Sequence, residues 1–177
     1  MSEHRLLFLW QDGKMRALST PGWTDLHPTA ISSRGDIFGT GTTASRGSWF
    51  VWQKGATTDL GSLRGTGSNA WAMNARGQVV GFFRTATGES HAYIWENGHV
   101  TDLGTLGGKY SEAIAINDLG QIIVRRDTTS GAWRTFLWQA GKMSDLGSLN
   151  VTAINNKGQI LGTNGRRIVL LTPRSAS

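Results

Sequence analysis

Residues 91–103 read His91-Ala-Tyr-Ile-Trp-Glu-Asn-Gly-His-Val-Thr-Asp-Leu103. The two apolar halves are short and rich in β-branched and aromatic residues, and Glu-Asn-Gly separates them, so the segment predicts a β-hairpin. The next stretch, residues 111–124, has the same character, with a second turn at Asn117-Asp-Leu-Gly120. This part of the chain therefore predicts four antiparallel strands and no long helix.

The same pattern recurs along the whole chain with a period of about 43 residues. Short apolar runs end in Trp at Trp10, Trp52, Trp95 and Trp138. A fixed period of this length is typical of repeat architectures, and four strands per unit are typical of a β-propeller blade. We name the strands of a unit A, B, C and D, where C ends in the Trp and D carries Asp-Leu. Large aromatic residues such as these four Trp are expected to pack in the core.

The repeat count predicts an all-β fold, a small propeller of about four four-stranded blades. The chain contains four A, four B and four D strands, and five C strands if residues 167–172 form a C strand without its Trp. Open sheet edges are avoided in monomers, so we expect the N- and C-terminal strands to close the ring. The 177 residues then form a single repeat domain, with units at about 1–48, 49–90, 91–133 and 134–177.

Two turns recur in every unit, one between strands C and D and one between strands A and B, and both end in Gly. Gly at the fourth place suits a type I turn closed by a left-handed bulge residue, and Asn or Ser at the first place can accept bonds from the following amides. The Asp of strand D is expected to bond backbone amides rather than to catalyse. It recurs as Asp59, Asp102 and Asp145.

These motifs resemble the bacterial HAF repeat, which is named after a His-Ala-Phe segment. Residues 91–95, Thr101-Asp-Leu-Gly-Thr-Leu-Gly-Gly108 and Ala115-Ile-Asn-Asp-Leu-Gly-Gln121 carry the resemblance, which covers nearly the whole chain. The resemblance implies a propeller-like extracellular repeat and implies no general activity. The His of the motif is present at His91, whereas the other copies have Leu6, Ser48 and Arg134.

The composition argues against several function classes. The chain has no Cys, which excludes disulfides and thiolate metal sites. Its four His occupy different repeat positions, and it has neither a metal-ligand spacing nor a Gly-x-Ser-x-Gly nucleophile elbow. We therefore expect no catalytic residues, no metal and no cofactor. Neither a signal peptide nor a transmembrane segment is evident, so a cytoplasmic location without a membrane partner is predicted.

Function is expected where the copies differ. These places are the B–C and D–A loops, which are predicted to lie at one end of the strands, to be longer than the repeated turns and to vary between the copies. These loops hold most of the basic excess of a chain whose net charge is +6, together with the Trp residues outside the repeat. Arg and Trp are enriched at binding hot spots. The predicted contact residues are Trp23, Trp49, Trp71, Arg84, Arg125, Arg126, Trp133, Arg134, Arg166 and Arg167.

The leading hypothesis is a non-catalytic domain that binds another protein with an acidic contact surface. The chain would then be an intracellular, immunity-type inhibitor, and its partner would be a toxin or effector. Carbohydrate binding is an alternative, although propeller lectins repeat their aromatic platform in every blade and these Trp do not repeat. Nucleic-acid binding is a third, because Arg-rich loops with aromatic residues allow it. The Trp residues outside the repeat could instead fill the interior of a small propeller, and the Arg residues of the loops could form a solvated rim without a binding role.

Overall fold

The computed structural model describes residues 7–44, 46–61 and 67–173. These residues form 17 antiparallel β-strands and contain no helix, which confirms the all-β prediction for this part of the chain. Accordingly, the described ranges contain no helix of the length and apolarity needed to cross a membrane.

The strands form one hairpin and four meandering sheets. The hairpin contains β1 (Phe8–Gln11) and β2 (Lys14–Ala17). Sheet 1 contains β3 (Thr24–Ile31), β4 (Ile37–Thr42), β5 (Gly47–Gln53) and β6 (Ala56–Gly61). Sheet 2 contains β7 (Asn69–Met73), β8 (Val79–Arg84), β9 (Ser90–Glu96) and β10 (His99–Gly104). Sheet 3 contains β11 (Ser111–Ile116), β12 (Ile122–Asp127), β13 (Trp133–Gln139) and β14 (Lys142–Gly147). Sheet 4 contains β15 (Asn150–Ile154), β16 (Ile160–Asn164) and β17 (Arg167–Leu171).

This order confirms the predicted A-B-C-D unit. Sheets 1, 2 and 3 each contain one strand of every type, sheet 4 contains A, B and C, and the hairpin contains C and D. Strand β17 is the expected C strand without a Trp. The predicted unit boundaries after residues 48, 90 and 133 fall inside β5, β9 and β13, because each of these predicted units begins at strand C whereas each sheet begins with strand A.

The chain divides into two compact units, residues Met1–Leu63 and Arg64–Ser177. The first contains the hairpin and sheet 1, and the second contains sheets 2, 3 and 4. Among the described residues, β1 pairs with β2 alone and β17 pairs with β16 alone. Closure of a ring by the terminal strands therefore stays a prediction.

The A–B turns have the predicted geometry. In the turn of sheet 2, Gly77 has a φ of 78° and its N–H donates to the Asn74 carbonyl oxygen at 3.0 Å. Asn74 Oδ1 accepts the N–H groups of Arg76 and Gln78, each at 3.0 Å. The Asn side chain thus stabilises the turn in the way the sequence predicts.

The C–D turns differ from the prediction. In the turn of sheet 2, Asn97 and Gly98 have φ values of 50° and 86°, and Glu96 pairs directly with His99. Two central residues with positive φ make a two-residue type I′ turn, whose twist matches that of the flanking strands. The expectation of a type I turn with a bulge residue is therefore wrong for these hairpins.

The recurring Asn also links neighbouring sheets of the second unit. Asn74 Nδ2 donates to the Asn117 carbonyl oxygen at 3.0 Å, and Asn117 Nδ2 donates to the Asn155 carbonyl oxygen at 2.9 Å. Asn74 and Asn117 are both 3% exposed, so these bonds replace lost contacts with water. The Ile-Asn-x-x-Gly-Gln motif therefore serves the scaffold.

The Asp of strand D joins strand C to strand D in a contact that we call the C–D clasp. One carboxylate oxygen accepts the N–H of the Gly two residues later, at 2.8 Å in sheet 1 and 2.7 Å in sheets 2 and 3. The carboxylate also bonds a side chain of strand C. This confirms that these Asp bond backbone amides. The three clasps are Ser48–Asp59, His91–Asp102 and Arg134–Asp145.

Three of the four repeated Trp pack as expected. Trp52 and Trp95 are 7% and 8% exposed, and Trp138 packs against the core shared by sheets 2 and 3. Trp10 is 67% exposed, so the expectation is wrong there. Among the described residues no B strand lies beside β1, so the indole ring of Trp10 is not covered as those of Trp52 and Trp95 are.

Candidate binding site around Trp133

The B–C connections are tighter than the sequence predicts. In the turn between β12 and β13, the Thr128 N–H donates to the Ala132 carbonyl oxygen and the Gly131 N–H to the Thr128 carbonyl oxygen, both at 2.8 Å. Gly131 has a φ of 80°. The turn at residues 85–89 is bonded in the same way. Thr-x-x-Gly thus closes a hairpin as Asn-x-x-Gly does, and the prediction of long, variable loops is wrong here.

Because these turns are short, most predicted contact residues lie on strands rather than in loops. Arg84 ends β8, Arg125 and Arg126 belong to β12, and Trp133 and Arg134 begin β13. The others on strands are Trp49 in β5, Trp71 in β7 and Arg167 in β17, whereas Trp23 precedes β3 and Arg166 lies in the turn before β17.

Strand pairing places Arg125 and Trp133 on the same face of sheet 3. Arg125 pairs with Thr135 and Asp127 with Trp133, so Arg125 and Trp133 are diagonal neighbours. The Arg125 Cζ atom lies 5.5 Å from the Trp133 ring centroid, within the range of a cation–π interaction. Trp133 remains 46% exposed. Sheet 3 therefore presents an aromatic ring to solvent with a cation over its face.

Glu112 lies directly opposite Arg125 in the register of β11 and β12. Its Oε1 atom is 3.7 Å from the Arg125 NH1 atom, and the two side chains are 24% and 37% exposed. This distance is longer than a hydrogen bond, so the pair is weak. Arg125 consequently keeps donors for an external carboxylate.

Trp133 also forms the shared wall of two hollows in the second unit. The larger, about 290 Å³, is also lined by Arg125, Arg134, Thr135, Ser148, Leu149 and Asn150. The smaller, about 120 Å³, is lined by Phe82, Ser90, Tyr110, Ser111 and Glu112. Tyr110 is 44% exposed, so a second aromatic ring borders the smaller hollow. A ligand on this surface would contact aromatic rings, the positively charged Arg side chains and the negatively charged Glu112.

Arg126 points to the opposite face of the sheet and is engaged within the protein. Its NH1 group donates to the carbonyl oxygens of Thr105 at 2.7 Å and Leu106 at 2.9 Å. Its Cζ atom lies 4.0 Å from the Phe136 ring centroid. Burial lowers the pKa of Arg126. Arg126 therefore fastens the D–A loop, and its predicted role in partner contact gains no support from this geometry.

Arg134 is also paired internally, through the clasp of sheet 3. Its Nε and NH2 groups lie 2.9 Å and 2.7 Å from Asp145 Oδ2. The hydrogen bond from Arg134 is the largest cause that lowers the pKa of Asp145. Because both side chains are 41% exposed, Arg134 still borders the larger hollow, although its charge is largely matched.

The remaining predicted contact residues lie elsewhere. Trp23 meets Phe50 edge to face at 5.5 Å, and Trp49 stacks on Phe38 at 5.0 Å, so both pack inside the first unit. Trp71 is 48% exposed at a bulge of β7. Three further predicted contact residues are exposed: Arg84, Arg166 and Arg167. Of the ten predicted residues, the structure brings together Arg125, Trp133 and Arg134.

Tyr110, Glu112 and Asn150 belong to this site but were missed by the sequence analysis. Tyr110 is fixed by Asp127, whose Oδ1 atom accepts the N–H groups of Lys109 at 2.9 Å and Tyr110 at 2.8 Å. Asp127 is 9% exposed, so these bonds are sheltered from water. Within the described residues, no group of three or more His, Asp or Glu is placed to hold a metal ion.

Comparison with known proteins supports the fold. No protein-family model and no curated protein matches the chain. The structure is similar to the crystal structure of TolB from Acinetobacter baumannii, with a TM-score of 0.58 at 14% sequence identity. The similarity covers 92% of this chain and 47% of the TolB chain, so this chain spans about half the length of TolB. The fold is β-propeller-like.

Proposed function

We propose that this chain is a protein-binding domain of the β-propeller type whose contact surface is centred on Trp133. The observation that supports this is an exposed Trp ring, with Arg125 over its face, between two hollows. Trp and Arg contribute much of the binding energy at protein interfaces, and a ring already held by its neighbours loses little entropy on binding.

The partner is expected to be acidic where it contacts this surface. Arg125 is held only loosely by Glu112, and its planar guanidinium can bind a carboxylate through two parallel hydrogen bonds. Arg84, Arg166 and Arg167 add exposed positive charge elsewhere on the second unit. The narrower form of the proposal is an immunity-type inhibitor that neutralises a toxin or effector.

Carbohydrate binding is the second candidate, and one observation favours it. Trp133 and Tyr110 border the smaller hollow together with Glu112 and Ser90, which combines aromatic rings with hydrogen-bonding groups. Binding through Arg125 to an acidic protein would weaken as salt is raised, whereas binding of a neutral sugar would change little. A salt titration therefore separates the two candidates.

The test is a binding titration with the partner, once cross-linking has identified it. We expect Trp133→Ala to weaken binding at least about thirtyfold, which is the size of a hot-spot contribution. Trp71→Ala is the matched control, because Trp71 is 48% exposed and Trp133 is 46% exposed. We expect less than a threefold change for the control. Wild-type affinity in Trp133→Ala would contradict the proposal.

A further inference from the structure

Strand β17 has an open edge. It is the C strand of sheet 4, and no strand within the described ranges pairs with its outer side. Asn164 faces Arg167 across a two-residue turn that begins with Gly165 at a φ of 61°. Residues that flank such a turn bond each other, and the bonding direction alternates along an antiparallel strand. The peptide groups of Ile168 and Leu170 therefore point to the open edge.

The side chains of this strand are uncovered as well. Ile168 is 80% exposed and Leu170 is 59% exposed. The equivalent of Ile168 in sheet 3 is Thr135, which belongs to a four-stranded sheet and is 2% exposed. An exposed apolar edge with free peptide groups is a template for the addition of another strand.

The C–D clasp indicates which strand would fit. In sheets 1, 2 and 3 the C strand carries a clasp residue beside its D strand, and the equivalent residue in β17 is Arg167. The closest chemical precedent is Arg134 of β13, which holds Asp145 with two nitrogens. Arg167 is exposed and has no ion pair among the described residues. Arg167 therefore occupies the clasp position of strand C without an Asp carboxylate opposite it among the described residues.

Strand β2, the D strand of the N-terminal hairpin, lacks that carboxylate. The clasp Asp stands four residues after the turn Gly in sheets 1, 2 and 3, as Asp145 does after Gly141. In β2 the residue four after Gly13 is Ala17. Strand β2 therefore offers no partner for Arg167, whereas a strand that carries Asp at this place does.

We propose that the open edge of β17 binds an extended segment of another protein, which adds to sheet 4 as an antiparallel D strand and places an Asp carboxylate on Arg167. The recognised chemistry is an Asp-Leu-Gly type of strand, in which the Asp also accepts the N–H two residues later. Backbone bonds to Ile168 and Leu170 supply the general affinity, and the carboxylate supplies the selectivity. This site is separate from the Trp133 surface.

The probe is a synthetic peptide with the sequence of residues 140–149, Ala-Gly-Lys-Met-Ser-Asp-Leu-Gly-Ser-Leu, and a second peptide in which its Asp is replaced by Lys. In a titration by calorimetry, the Asp peptide is expected to bind the wild-type protein about fivefold more tightly than the Lys peptide, the size expected of one exposed ion pair. Arg167→Glu should reverse this preference. Lys157→Glu changes an exposed residue in the A–B turn of the same sheet and should leave the preference for the Asp peptide unaltered.

Amide hydrogen exchange locates the bound peptide. Binding should slow exchange at Ile168 and Leu170 and leave Arg167 and Val169 unchanged, and Trp133→Ala should bind the peptide as wild type does. The proposal is overturned by absent peptide binding, by equal affinity for the two peptides, or by protection at another strand. It is also overturned if Ile168 and Leu170 are already protected in the free protein, by its own chain in a monomer or by a second copy in a dimer.

Discussion

Sheets 3 and 4 each contain strands of types A, B and C, but within the described ranges only sheet 3 has a D strand. In β13, Thr135 is 2% exposed and Arg134 is paired with Asp145. At the equivalent places of β17, Ile168 is 80% exposed and Arg167 has no ion pair among the described residues. In sheet 3 both positions have partners beyond their own strand, since Asp145 of β14 pairs with Arg134 and the Leu149 carbonyl oxygen accepts a hydrogen bond from the Thr135 hydroxyl.

The largest expected effect is on the free energy of unfolding, which should depend strongly on the core of sheet 3 and little on the edge of sheet 4. Phe136 is 4% exposed, so Phe136→Ala should lower the free energy of unfolding by about 3–5 kcal/mol. Ile168→Ala should change it by no more than about 0.5 kcal/mol, because the side chain is 80% exposed. Urea unfolding measures both. A loss above about 2 kcal/mol for Ile168→Ala would mean that the edge is covered.

The next effect concerns the loop that leads into sheet 3. Asp127→Ala leaves the sheltered N–H groups of Lys109 and Tyr110 without their acceptor, at a cost of about 2–3 kcal/mol. Thermal unfolding monitors this loss. Since Tyr110 borders the smaller hollow, the variant should also bind the partner more weakly than wild type. An unchanged melting temperature would show that Asp127 does not hold the loop.

A smaller effect extends the comparison to sheet 2. Tyr93 occupies the strand position of Phe50 and Phe136, and it is completely buried with no hydrogen-bond partner for its hydroxyl in the described structure. Burial raises the pKa of Tyr93. Tyr93→Phe removes an unpaired polar atom and should be neutral or stabilising by up to about 1 kcal/mol. Urea unfolding that shows a loss above about 1 kcal/mol would reveal a bond to the hydroxyl.

The smallest effect is a pH dependence at the clasp of sheet 3. The pKa of Asp145 is lowered from its ordinary value of 3.8, chiefly by the bond from Arg134. The stability from this bond is therefore present above pH 3.8 and is lost as pH falls through the folded-state pKa. NMR titration of the carboxyl should give a higher pKa in Arg134→Ala than in wild type. Equal pKa values of Asp145 in the two proteins would show that the bond from Arg134 does not lower this pKa.

Much of the fold follows from local sequence signals, with one instructive failure. Apolar runs bounded by Gly turns predict the strand order, because alternation and turn chemistry are encoded within a few residues. The type of the C–D turn was not predicted. Its positive φ values fall on Lys54 and Ala140, among others, and neither residue type favours that conformation. The twist of the flanking strands imposes it instead.

The candidate site was predictable only in part, because its geometry depends on contacts that are distant in sequence. Trp133 and Arg125 stood out by residue type, but their diagonal contact depends on the register of β12 and β13. Arg126 looked equally available. Its acceptors are carbonyl oxygens of Thr105 and Leu106, in a loop about 20 residues earlier, and no local signal marks that bond.

The comparison between sheets 3 and 4 is tested most directly by amide hydrogen exchange on the free protein. The amides of Ile168 and Leu170 point to the open edge of β17 and should exchange rapidly, whereas the equivalent amides of Thr135 and Leu137 face β14 and should be protected. Equal protection at the two pairs would show that β17 already has a neighbouring strand, and would contradict the open edge on which the account depends.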